Sequence, residues 1–206
     1  MVRPHRLSGA ALTALFVLGV FTAIPASANS TAQALPFTQN WSNVGLITVA
    51  NNWSGVPGVI GYRGQDLTAA PGVDPQTVLG ESSAPFEVQV VDDQTNTALT
   101  NGGTAEFELA DPVVAIQGHD TSEAPYLKFH LDTTGFANVA VSYDLRDIDA
   151  TGENAQQQVA LQYRIGSSGN FTNVPAAYVA DAKQSARFSH ISPVTVSVTV
   201  PFPQST

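Results

Sequence analysis

The chain reads as an all-β protein, a jelly-roll-like antiparallel β-sandwich with one short helix, preceded by a signal peptide. Three observations predict this. Two segments alternate cleanly between apolar and polar residues: Val139, Val141, Tyr143 and Leu145 with Ala140, Ser142, Asp144 and Arg146, and Val159, Leu161, Tyr163 and Ile165 with Ala160, Gln162 and Arg164. A period of two gives each segment one core face, and the acidic, glycine-containing stretch between them reads as a turn that pairs them. Further short apolar runs recur along the chain between turn residues, and helical periodicity is nearly absent.

Taken in order, the strand-like runs are Phe37 to Trp41, Leu46 to Ala50, Val59 to Tyr62, Phe86 to Val91, Ala105 to Leu109, Val113 to Gln117, Tyr126 to Leu131, the two segments above, and Val194 to Val200. Asn101-Gly102-Gly103, Gly118, Gly135, Gly152 and Ser167-Ser168-Gly169-Asn170 punctuate them, since these residues supply the conformations that turns require. Phe86, Val88 and Val90 are expected to face inward, as are Ala105, Phe107 and Leu109, and Leu127, Phe129 and Leu131. The one helical stretch runs from Ala176 to Ala186.

Arg3, His5 and Arg6 precede an apolar run from Leu7 to Pro25 that ends in Ala26-Ser27-Ala28. That is the pattern of a secretory signal peptide over residues 1–28, with small residues where a signal peptidase needs them. Residues 29–206 then form one module, enough chain for a real core. Cleavage removes two of the eight basic residues and none of the seventeen acidic ones, so a chain of net charge −9 becomes more acidic still. Neutralising phosphates takes clustered Lys and Arg, so direct nucleic-acid binding and attraction to anionic lipid are excluded for this segment. There is no cysteine, which excludes disulfides, thiol nucleophiles and thiolate metal sites.

Asn40-Trp41-Ser42 recurs as Asn52-Trp53-Ser54, and these are two of four sequons, the others beginning at Asn29 and Asn170. Trp41 and Trp53 either form an aromatic platform for a sugar ring or close the edge of the core. Asp144, Asp147, Asp149 and Glu153 gather at the end of one strand and in the turn after it. They form either a calcium site, because a hard cation takes several oxygen ligands, or a set of solvated turn acids. Arg146 lies among them and is able to pair with an acid instead. Asp92 and Asp93 are a weaker calcium candidate. Glu106 and Glu108 share a strand face, which suits a carboxylate pair or plain solvent exposure. His130 falls on the outer face of its strand with Lys128 and Tyr126. The mature histidines, His119, His130 and His190, sit in no HExxH or GxSxG pattern, so no catalytic residue is assigned.

The segments Leu35 to Thr68, Val73 to Gly80, Ala105 to Gly118, VSYDLRDID and QQVALQYRIGSSGNFTNVPAAYVADA together resemble the leading β-sandwich module of bacterial secreted multidomain proteins. Such modules occur in some extracellular nucleases of the endonuclease/exonuclease/phosphatase type and in exoproteins with a lamin-tail domain. The resemblance brings no agreed activity with it; the signal peptide, the acidic charge and the missing catalytic motifs give the reading of a secreted, non-catalytic binding or accessory module for a surface, a glycan or a neighbouring domain, with no membrane association after signal cleavage. The alternatives are the leading module of a truncated nuclease or other hydrolase, and a structural spacer. The resemblance implies closing strands beyond Val200, where this sequence runs out in Pro201-Phe202-Pro203-Gln204-Ser205-Thr206.

Overall fold

The computed structural model describes residues 29–83, 88–97, 101–148, 157–182 and 194–201. Its strands are β1 (Gln33–Ala34), β2 (Val59–Tyr62), β3 (Val91–Gln94), β4 (Gly103–Phe107), β5 (Val113–Gln117), β6 (Tyr126–Phe129), β7 (Leu131–Asp132), β8 (Asn138–Leu145), β9 (Gln162–Tyr163), β10 (Thr172–Asn173) and β11 (Val194–Pro201). Helical structure among the described residues is limited to three 3₁₀ turns, Val44–Leu46, Pro75–Thr77 and Pro175–Ala177. The fold is all-β, as the alternation predicts. Among the described residues five small sheets carry it: β3-β4-β5, and the pairs β2-β6, β8-β11, β9-β10 and β1-β7.

The core centres on β2, whose four residues are all buried. Val59, Ile60 and Tyr62 join Ile47, Trp53, Val56, Val90 and Val114 in one apolar cluster. β2 runs antiparallel to β6 with Tyr62 opposite Tyr126, and the two rings stack with centroids 4.8 Å apart, the contact expected of directly opposed residues. Gly61 belongs in this strand because the Trp53 indole lies over it. A Cβ on Gly61 would stand 2.4 Å from Trp53 Cζ2, so only glycine admits the ring at that depth. The Trp53 indole N–H donates to the Gln89 carbonyl at 3.1 Å, and the Thr104 hydroxyl donates to the same oxygen.

Gly64, just past β2, has φ of +62°, and a Cβ there would fall 1.9 Å from the Ala124 carbonyl oxygen. Both the backbone conformation and the space require glycine. Gly64→Ala is expected to destabilise the protein by about 2 kcal/mol, read as a lower urea midpoint with an unchanged slope.

Pairing departs from the expectation that the two strongest alternating segments face each other. β8 instead pairs antiparallel with β11 over eight residues, Asn138 opposite Pro201 through Leu145 opposite Val194. The second segment folds back on the chain that follows it. Thr172 pairs with Tyr163 and Asn173 with Gln162, and Val159 and Val179 exchange two backbone hydrogen bonds of 2.9 Å. Gly166 and Gly169, at φ of 81° and 88°, lie in the connecting turn. A close sequence neighbour with a tight turn outcompetes the longer acidic connection for this partner, and β8 takes a distant strand of matching length.

Other expected elements differ too, and of the described residues in Phe86 to Val91 only Val91 lies in a strand, at the start of β3. Phe37 to Trp41 and Leu46 to Ala50 are not strands. Asn40 Oδ1 accepts from the Ser42 N–H at 3.1 Å, and Asn52 Oδ1 accepts from the Ser54 N–H at 2.9 Å. The repeated Asn-Trp-Ser is thus a repeated Asx turn, and positive φ at Trp41 and Asn51, 58° and 60°, breaks any extended ladder there. The helix expected from Ala176 shrinks to the single turn Pro175–Ala177, because Val179 is already extended and bonded to Val159; residues 183–186 lie outside the described set. The Phe86 position lies outside it as well. Phe129 is exposed rather than inward, whereas Val90 and Phe107 are buried as expected.

Candidate functional site

Among the described residues, one group of carboxylates converges. Oxygens of Asp93, Glu106 and Glu108 all lie within 4.8 Å of one another. The backbone explains how. β3 and β4 run parallel, with Val91 opposite Ala105 and Gln94 opposite Phe107. Two residues, Asp92 and Asp93, therefore stand against the single residue Glu106, which is a β-bulge, and a bulge re-aims side chains. Asp93 takes φ of 51°, and its N–H donates to Glu106 Oε2 at 3.1 Å. Beside the bulge, the Gln94 amide donates to the Asp92 carbonyl at 2.6 Å, and the Glu108 N–H donates to the Gln94 carbonyl at 2.8 Å.

Glu106 departs from the solvent-exposed strand face expected for it. It is 2% exposed, because β4 is the middle strand of its sheet and is covered on both faces. Its Oε1 is buried without a hydrogen-bond partner. Burial pushes its carboxyl above the usual range, and the charges of Glu108, Asp93 and Asp92 push the same way, with the Asp93 N–H opposing. Asp93 and Glu108 are exposed, so the group opens to solvent on one side.

Two of the four acids of the expected turn site, Asp144 and Asp147, lie among the described residues. Asp144 lies on β8 opposite Thr195 and Asp147 follows the strand end, while Asp149 and Glu153 lie outside the described residues. Arg146 bonds the Asp111 carbonyl and approaches its carboxylate at 3.5 Å. Trp53 is fully buried, so no face of its indole is open to a sugar, and Trp41 packs half-buried against the same core. Comparison with protein-family models, with curated proteins and with solved structures finds no match.

A second polar constellation holds segments together. Glu81 pairs with Lys128 through one oxygen and with Arg164 through the other, the latter at 2.6 Å. Lys128 Nζ also sits 4.9 Å from the Tyr62 ring centroid, and the Arg164 guanidinium 4.5 Å from that of Phe171, so both cations lie on aromatic faces. Burial would raise the Glu81 carboxyl, but hydrogen bonds and charge from Lys128 and Arg164 outweigh it and hold Glu81 below its ordinary value. The outer face of β6 is thus covered rather than solvated. His130 reflects this: burial, aided by the Lys128 and Arg164 charges and opposed by Glu81, holds it below the ordinary histidine range. No pattern in the sequence marked Glu81, which meets its partners from 47 and 83 residues away along the chain.

Proposed function

We propose that the chain is an exported, non-catalytic accessory module that docks a neighbouring protein domain by strand addition. The observation that carries this reading is the openness of its sheets. The longest ribbon, β8 with β11, has two strands among the described residues, and the remaining sheets have two or three. A two-stranded ribbon is marginal alone in water, and an unpaired edge offers its backbone N–H and C=O groups to a further strand. The ion cluster at Glu81 supports a scaffold role, because its charges bind three segments of this chain to one another. The jelly-roll-like sandwich arrangement, the kinship with leading modules of secreted multidomain proteins, and export directed by residues 1–28 belong to the same reading. No described helix is long and apolar enough to cross a membrane.

Export is checked first. The protein recovered from the medium, or from the periplasm of a two-membrane cell, is expected to begin at Asn29. Docking is then read by co-sedimentation of the purified protein with isolated cell envelopes. Retention that is lost after protease treatment of the envelopes supports a protein partner. Retention that survives protease would point to a polymer and overturn strand addition to a domain, as would a protein that stays in the supernatant. Turnover of nucleic acid, ester or glycoside substrates by the purified chain would overturn the non-catalytic assignment.

A further inference from the structure

The geometry points to a calcium-binding site at the β3–β4 bulge, with Asp93, Glu106 and Glu108 as its protein ligands. Two independent observations meet here. The first is the convergence of three carboxylate oxygens within 4.8 Å of one another. Calcium takes oxygen ligands at about 2.4 Å, so two ligands across one ion stand at most about 4.8 Å apart, and all three oxygens are able to touch a single ion. The second is Glu106 itself, 2% exposed with Oε1 buried and unpartnered. A buried carboxylate oxygen without a donor is costly unless something positive meets it. The carboxylate that carries it is part of the group, with Oε2 accepting from the Asp93 N–H.

The donor set and charge agree with this ion class. All three ligands are carboxylates, which favour a hard cation over a soft one. Among the described residues, none of the three forms an ion pair with Lys, Arg or His, so three negative charges face one another without a compensating side chain. Asp93 and Glu108 are exposed, leaving an open side where waters complete the six to eight ligands calcium prefers. The bulge makes the site: without the extra residue in β3, Asp93 would not stand against Glu106. Neither pair of acids marks a site by itself in the sequence, because Asp92-Asp93 and Glu106/Glu108 are 13 residues apart and meet only through the parallel pairing. A cation here would tie β3 to β4 next to the core residue Val90.

Thermal unfolding of the purified protein in calcium and in chelator tests the assignment, with titration calorimetry of calcium chloride as the direct measure. Calcium a hundredfold above its dissociation constant is expected to raise the midpoint by about 5 °C or more, since an ion that binds only the folded state stabilises it. Glu106→Gln is expected to abolish the calcium response. In chelator the same variant should unfold no lower than wild type, because it removes an unpaired buried charge; a merely structural carboxylate would instead leave the variant weaker in both conditions. Should Glu106→Gln fail to fold, Glu108→Gln changes an exposed side chain and is expected to weaken calcium at least tenfold. Asp144→Asn is expected to leave the response intact. No midpoint shift and no heat at about 10 mM calcium, roughly tenfold above the weakest extracellular-module affinities, would overturn the site, and so would a response lost in Asp144→Asn but kept in Glu108→Gln.

Discussion

Trp53→Ala is expected to lower the stability of the protein by about 4 kcal/mol, the range for deleting a fully buried indole. Trp53 is 0% exposed and seated on Gly61, and the space it leaves is bounded by β2 and the Val90 segment, backbone that cannot collapse far. The substitution also removes one of the two donors to the Gln89 carbonyl, whose other partner is the Thr104 hydroxyl. Trp53→Phe keeps most of the apolar volume and loses the N–H, so a smaller loss of about 2 kcal/mol is expected. Urea unfolding followed by far-ultraviolet circular dichroism measures both, and it avoids reliance on the tryptophan signal being deleted. A loss below about 1 kcal/mol for Trp53→Ala would show that the indole is not part of the rigid core.

Glu81→Ala is the second large effect, a loss of about 3 kcal/mol. The Lys128 and Arg164 side chains are 15% and 10% exposed, so removing the carboxylate leaves two partly buried cations facing each other. The sign of the pH dependence follows from the direction of the Glu81 shift. Its carboxyl lies below the ordinary 4.5 in the folded protein, so the folded state favours the ionised form. The stabilisation is present above 4.5 and is lost as pH falls through the lower, folded value. The gap between wild type and Glu81→Ala should therefore be full at pH 7 and shrink progressively below pH 4.5. A gap that stays constant down to about pH 2.5 would place the effect in packing rather than in charge. Glu81→Gln, which keeps the shape and one acceptor, should fall between the two.

Much of the fold was legible residue by residue. Val59 to Tyr62 and Val113 to Gln117 occupy the expected strand bounds, and the alternation in 139–145 places Val139 in the core. Gly135 and Gly169 take the positive φ that turn chemistry demands, whereas Gly118 does not and Gly152 lies outside the described residues. What periodicity could not supply is the partner. A period of two states which residues share a face, and the 139–145 and 159–165 segments satisfy that rule against any strand of fitting length. The stretch from Phe37 to Ala50 misled for a local reason: its short apolar runs suit strands, yet Asn40 takes the Ser42 N–H and bends the chain, as Asn52 does at Ser54 just beyond it.

The candidate site was present in the sequence only as fragments. Asp92-Asp93 read as a weak calcium signal and Glu106/Glu108 as a carboxylate pair or plain solvent exposure, while the acids are locally denser from Asp144 to Glu153. Burial is what distinguishes Glu106 from an exposed strand acid. Glu106 sits on the strand that ended up in the middle of a three-stranded sheet, and no neighbour of Glu106 in sequence announces that position.

By itself, the sequence determined the all-β class, the bounds of β2 and β5, the alternating face of β8 and the lack of any thiol chemistry, because each follows from side-chain period or composition. Only the tertiary structure decided which strands pair, that Trp53 is core, that Glu81 gathers two cations, and that three carboxylates meet at a bulge. These depend on contacts between residues far apart in the chain, where the free energy of burial and of compensated charge is settled by partners that local pattern does not name.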